Sequence, residues 1–255
     1  MIVQLTDEQL ERFRHNATED YISDMIIKFE KNFPHLKKTF ANEVLRNCFT
    51  ISIDKAKKSG FTQRGPVQFY ISLLITFGSG FETDPQYLWI SQEIQKNRLL
   101  SQLHQTEALL KKTRGYFRNI AGEDETHLFE CASKLNQFDV NDIFMHDINY
   151  QQIHDVLEDI YPQKYINTSR SGINLLIDEG IIKARTVFGF NLPNHIVMVI
   201  LFMFILGHQF EQDPFCGWIN NDKQLQYRED SQLLANKLQQ RAKTWLQAAI
   251  RNNTL

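Results

Sequence analysis

With 255 residues, 42% of them hydrophobic, the chain has material for one large core or two small ones. Its 28 basic and 30 acidic residues leave a formal net charge of -2, so no global field favours nucleic acid or an anionic membrane, and a charged partner must be met by a local patch. Cys48, Cys131 and Cys216 are odd in number, far apart and outside any CxxC pair, which argues against a disulfide framework or a zinc ribbon and for a reducing compartment.

The N-terminal stretch MIVQLTDEQLERF has no basic segment followed by an apolar one, so no secretory signal is expected and the protein is expected in the cytoplasm. Thr6 to Gln9 has the capping-box pattern, and Leu10, Phe13, Tyr21, Met25, Ile26 and Phe29 follow at helical spacing up to Pro34. VQFYISLLITF, residues 67 to 77, predicts an amphipathic helix whose polar side carries Gln68, Ser72 and Thr76. Residues 97 to 122, with leucines at 99, 100, 103, 109 and 110, predict a long helix ending near Gly122. A further helical segment closes at Tyr161-Pro162. The run Ile196 to Leu206 has 11 apolar residues against the roughly 18 or more of a membrane span, and predicts a buried core helix. The tail from Tyr227 places Leu233, Leu234, Leu238, Ala242, Trp245 and Leu246 on one face and predicts a closing helix. No alternating β-branched run predicts a strand, so the expected fold class is all-α.

One pattern occurs twice. GSGFETDPQYLWI (78 to 90) and GHQFEQDPFCGWI (207 to 219) share G-x-x-F-E-x-D-P-x-x-x-W-I without a gap. At this offset of 129, residues 60 to 90 and 189 to 219 agree at ten of 31 positions, where usual residue frequencies give about two. An internal duplication is the reading. The expected architecture is two pseudo-repeated helical subdomains, residues 1 to 92 and 137 to 222, joined by a connecting helical segment at 93 to 136 and closed by a C-terminal helix at 223 to 255. Two copies are too few for a solenoid.

The repeated element is either a site or a joint. Glu82 with Asp84, and Glu211 with Asp213, offer paired carboxylates for acid/base work or a hard cation. Against this, Gly78 and Gly207 stand where a helix C-cap is wanted. Asp84-Pro85 and Asp213-Pro214 supply an N-cap and a first-position proline for a following helix, while Phe81, Phe210, Trp89 and Trp218 pin the turn to the core. The joint reading explains more residues; it leaves Glu82 and Glu211 without a role. No repeated histidine, nucleophile elbow or phosphate loop is present, so no catalytic residue, metal or cofactor is assigned. KKTRGYFRN places Arg114, Tyr116, Phe117 and Arg118 on the connecting helix, where with Glu82 they form the expected contact surface for a protein partner, nucleic acid not being expected.

The order of Phe-Pro, Gly60-Phe61, an apolar helix and then Gly78, Phe81, Asp84, Pro85 and Trp89 resembles small all-helical accessory proteins encoded beside effector and spike genes of type VI secretion systems. The second unit departs at Val199, opposite Tyr70, and at Gly217 beside Trp218. The resemblance implies a protein-binding chaperone or adaptor for a secreted effector or its spike carrier. The alternatives are an immunity protein that occludes a toxin and, with less weight, an enzyme or metal binder using the Glu-x-Asp-Pro acids.

Overall fold

The computed structural model describes residues 6 to 219 and 230 to 250, and all regular structure among them is helical. The outer residues of the predicted second repeat (220 to 222) and of the predicted tail (223 to 229 and 251 to 255) lie outside the described residues, as do residues 1 to 5.

Helix α1 (Asp7–Asn32) starts at Thr6, whose side chain caps Gln9 while the Gln9 side chain returns the bond. Its buried stripe is Tyr21, Ile22, Met25 and Phe29. Leu10 and Phe13, predicted on the same stripe, are exposed, because the first three turns run past the helices they would need to pack against. The first half continues through α2 (Pro34–Lys37), α3 (Asn42–Lys58), α4 (Arg64–Phe77), a 3₁₀ turn at Pro85–Tyr87 and α5 (Leu88–Lys96). Then come α6 (Gln102–Ala121) and α7 (Thr126–Gln137). The second half has α8 (Tyr150–Ile160), α9 (Pro162–Ile166), α10 (Arg170–Thr186), α11 (Pro193–Leu206), a 3₁₀ turn at Pro214–Cys216 and finally α12 (Ser231–Ile250).

Several elements recur at fixed spacing. Helices α3 and α10 have 17 residues each, α4 and α11 have 14 each, and α6 and α12 have 20 each. The starts of the last two pairs are 129 residues apart, like the sequence motif, while α3 and α10 are 128 apart; a single extra residue before Gly189 absorbs the difference. Predicted as a connector and a closing helix, α6 and α12 therefore occupy equivalent places in the element order. The capping is equivalent too: Ser101 caps the amide of His104, and Asp230 caps that of Leu233.

There are two apolar cores. One gathers α1, α3, α4 and Leu109 of α6; the other surrounds α11. From His195 to Phe204 every residue of α11 is buried, which is what a helix apolar on all sides requires. Leu234, Ala235 and Leu238 of α12 belong to this second core, with Ala242 and Leu246 packed against it, whereas Trp245 reaches the first core. Leu233, assigned to the same face of the tail from spacing, is exposed.

The long helix starts later than its leucines suggest. Ser101 is its N-cap, so Leu99 and Leu100 precede it; Leu99 is 99% exposed, and Leu103 in the first turn is exposed as well. The side of α6 that packs is the stripe Leu109, Tyr116 and Ile120, spaced 7 and 4 apart. No helix among the described residues is long and apolar enough to cross a membrane.

Candidate functional site

The two copies of the Gly-Phe-Glu-x-Asp-Pro element face each other, and their contacts are reciprocal. Gly78 (φ 87°, ψ 156°) and Gly207 (φ 101°, ψ 150°) end α4 and α11 in backbone conformations reserved for glycine. A Cβ on Gly78 would lie 2.5 Å from the Leu206 carbonyl oxygen, and one on Gly207 would lie 2.7 Å from that of Phe77. The absence of side chains lets the two helix ends meet backbone to backbone.

Across this contact run the aspartates. Asp84 accepts from the Gln86 amide at 2.9 Å, capping its own 3₁₀ turn, while its other oxygen accepts from the His208 amide of the opposite copy at 2.9 Å. Asp213 mirrors it: 2.8 Å from the Phe215 amide and 2.6 Å from the Ser79 amide. The proline after each aspartate opens a 3₁₀ turn instead of the predicted α-helix, and in the second copy no α-helix follows as far as Ile219. Each short turn is passed across. Pro85–Tyr87 packs on α10 and Pro214–Cys216 on α3. Phe215 stacks on Phe29 at a centroid distance of 6.0 Å, and the Gln86 side chain donates to the Met203 carbonyl. Likewise α6 packs on α9, and α12 on α2.

Only one of the two glutamates pairs with its lysine. Lys183 of α10 donates to the Glu211 carboxylate at 2.6 and 2.7 Å and to the His208 carbonyl, a nearly sealed ion pair. Lys55, at the same place in α3, donates to the equivalent carbonyl, that of Ser79, at 3.1 Å. It is not bonded to Glu82, whose carboxylate accepts from Ser59 at 3.0 Å instead. Burial depresses the Lys55 ammonium, with Asp213 and Glu82 opposing that shift. Glu82 thus lines a cleft of about 620 Å³ with Lys58, Arg98, Ser91, Gln95 and Gln105, whereas Asp84 has no exposed surface. The two acids of a copy have different surroundings and different work.

Burial also governs the remaining reactive groups. It pushes the Cys48 and Cys131 thiols up to about 12 and raises Cys216 well above the usual thiol range, with Asp213 adding to the shift at Cys48 and Cys216. Such thiols stay protonated and unreactive near neutrality. Asp213 is raised above the usual carboxylate range, chiefly by desolvation, which the amides of Phe215 and Ser79 partly counter. Among the described residues no group of three or more His, Cys, Asp or Glu side chains is placed to hold a metal ion.

Sequence spacing gave no hint of Lys164. This lysine of α9 is buried, donates to the Phe204 carbonyl and lies between the rings of Tyr87 and Phe204, 5.1 and 4.9 Å from their centroids. Desolvation lowers it to about 8, with Asp84 and Cys131 pulling the other way. Between pH 8 and 10.5 the unfolded chain therefore holds the proton and the folded chain does not, so this group makes the fold more stable as pH rises through that window and carries its full penalty below it. The penalty is on the order of 3 kcal/mol. Lys164→Met is expected to be the more stable protein at pH 7 by about 1–3 kcal/mol, with the gap narrowing toward pH 9.5 in urea unfolding. Cys131 senses Lys164, but all three thiols stay protonated in the folded state of both proteins over this range, so they cancel in the difference; a gap that stays constant would refute the assignment.

The predicted contact surface divides. Arg114 and Arg118 are exposed on α6, but Tyr116 packs against Phe77, Tyr87 and Trp89 at 5.5–5.9 Å, between the two cores, and Phe117 packs against the second core. These two aromatics belong to the interior because Tyr116 continues the buried stripe begun at Leu109. Compared with protein-family models, curated proteins and solved structures, the chain matches none of them.

Proposed function

We propose that the chain is a fused pair of like units related by a pseudo-twofold axis, serving as a non-catalytic protein-binding module in the cytoplasm. Its proposed work is that of a chaperone or adaptor for a type VI secretion effector or its spike carrier. The observation that supports this reading is the reciprocal seam. The most specific polar atoms in the sequence, both aspartates, are used up in holding the halves together. In a closed twofold contact the same patch serves both partners, so the repeated motif has a complete role as a joint, and recognition falls to the outer surface.

On that surface α6 exposes the guanidiniums of Arg114 and Arg118 in its second half and Leu103 in its first turn, with Leu99 uncovered just before it. Basic and apolar groups spread along one helix suit a protein partner better than a phosphate backbone. The test is affinity capture from native lysate with identification of the bound protein, run in parallel with Arg114→Glu/Arg118→Glu. Recovery of a secreted effector or spike protein, reduced by the double reversal without loss of helical signal or melting temperature, is the expected result. Recovery of one toxin whose activity the protein abolishes would replace the adaptor reading with immunity, and unchanged capture by the double variant would remove the α6 surface.

A further inference from the structure

The two halves differ most at the Lys/Glu pair, and the difference opens a cleft. In the second half Lys183 and Glu211 are closed on each other and largely buried. In the first half Lys55 and Glu82 are held apart: the lysine goes to the Ser79 carbonyl, the glutamate to Ser59, and Glu82 is left on the wall of the 620 Å³ cleft. Its volume falls in the range of ligand pockets, about 300–1,000 Å³. Its lining is not that of an apolar small-molecule site: Lys58, Arg98, Ser59, Ser91, Gln95 and Gln105 supply mostly donors.

The charge in the cleft is unbalanced. Lys58 and Arg98 are exposed and, among the described residues, have no ion-pair or side-chain hydrogen-bond partner, unlike neighbouring Lys57, which lies 3.6 Å from Asp54. Two cations thus share the cleft wall with one carboxylate, in a protein whose net charge is slightly negative. We propose that this cleft binds an acidic segment of a protein partner. Carboxylate side chains would pair with Lys58 and Arg98, and Glu82, held in place by Ser59, would accept a backbone N–H of the bound segment. The two roles need cations and a carboxylate acceptor along one groove, which an extended acidic peptide with both carboxylates and backbone N–H groups meets and a compact anion does not. Arg is suited to a bidentate carboxylate contact, and Lys58 adds a mobile point charge.

This inference rests on the binding-module reading and names the chemistry of its partner. The probe is a fluorescein-labelled octaglutamate with blocked termini, followed by anisotropy at low salt, with octaglutamine and octalysine as controls and inorganic phosphate as competitor. Octaglutamate alone is expected to bind. Lys58→Glu/Arg98→Glu should weaken it tenfold or more with unchanged circular dichroism, while Arg12→Glu/Arg14→Glu, at exposed positions of α1, should leave it within twofold. Absence of octaglutamate binding, equal loss in both double variants, or displacement by phosphate at matched charge concentration would each overturn the proposal. Failure of lysate capture with peptide binding intact would instead count against the effector-adaptor reading and leave the cleft assignment standing.

Discussion

Gly78→Ala and Gly207→Ala are each expected to destabilise the protein by about 3 kcal/mol or more, enough to consume a large share of a typical domain's stability. Two costs add. The backbone at both positions sits in the region essentially closed to other residues, worth roughly 1–3 kcal/mol. The new methyl would also meet a main-chain oxygen of the opposite copy at 2.5 or 2.7 Å, and neither helix end can yield without lengthening the bonds to Asp84 and Asp213. Two further glycines separate the terms. Gly60 has φ 90° with nothing within 4 Å of an added Cβ, so Gly60→Ala should show strain alone, about 1–2 kcal/mol. Gly115, within α6, has open space and no positive φ, and Gly115→Ala should stabilise by up to about 1 kcal/mol. Urea unfolding of the four variants reads the series; equal losses at Gly60 and Gly78 would mean that the backbone contact between the copies contributes nothing.

Much of this architecture is legible in the residues. The two helix stops, the two Asp-Pro starts and the apolar α11 follow from local chemistry, because a capping side chain or a positive φ is a requirement of residues one to three apart. What spacing cannot carry is the second bond of each aspartate, which spans 124 or 134 residues. A repeat in sequence says that two segments fold alike, and leaves open that each completes the other. The lysines were hidden for a simpler reason. Lys55 and Lys183 fall into register only at an offset of 128, and a gapless alignment at 129 breaks before Gly189, so Glu82 and Glu211 had no visible partner. Tyr116 was legible in principle: it stands seven residues after Leu109 and four before Ile120, the stripe of a buried face, yet its basic neighbours drew it toward an interface. Leucine spacing alone extends the long helix back over Leu99 and Leu100, whereas Ser101 caps it and leaves both outside.

Asp84→Ala and Asp213→Ala are expected to cost about 2–5 kcal/mol each, more than a cap alone. Loss of the cap to the 3₁₀ turn accounts for roughly 0.5–2 kcal/mol. The remainder comes from the opposite copy, where the His208 or Ser79 amide, buried at the seam, loses its acceptor and carries a desolvation penalty of about 1–3 kcal/mol. The decisive measurement is the double variant. If each aspartate merely capped its own turn, the two losses would add, since the turns are far apart in the chain and make no common local bond. Because both carboxylates clamp one seam, release of the first loosens the contact that the second would hold, so the double variant should lose less than the sum by about 1–3 kcal/mol. Asp→Asn at either position keeps the shape and one acceptor oxygen, and should fall between wild type and alanine. Additive losses near 1 kcal/mol per site would return the aspartates to the role of independent caps and leave the halves to be held by apolar packing alone.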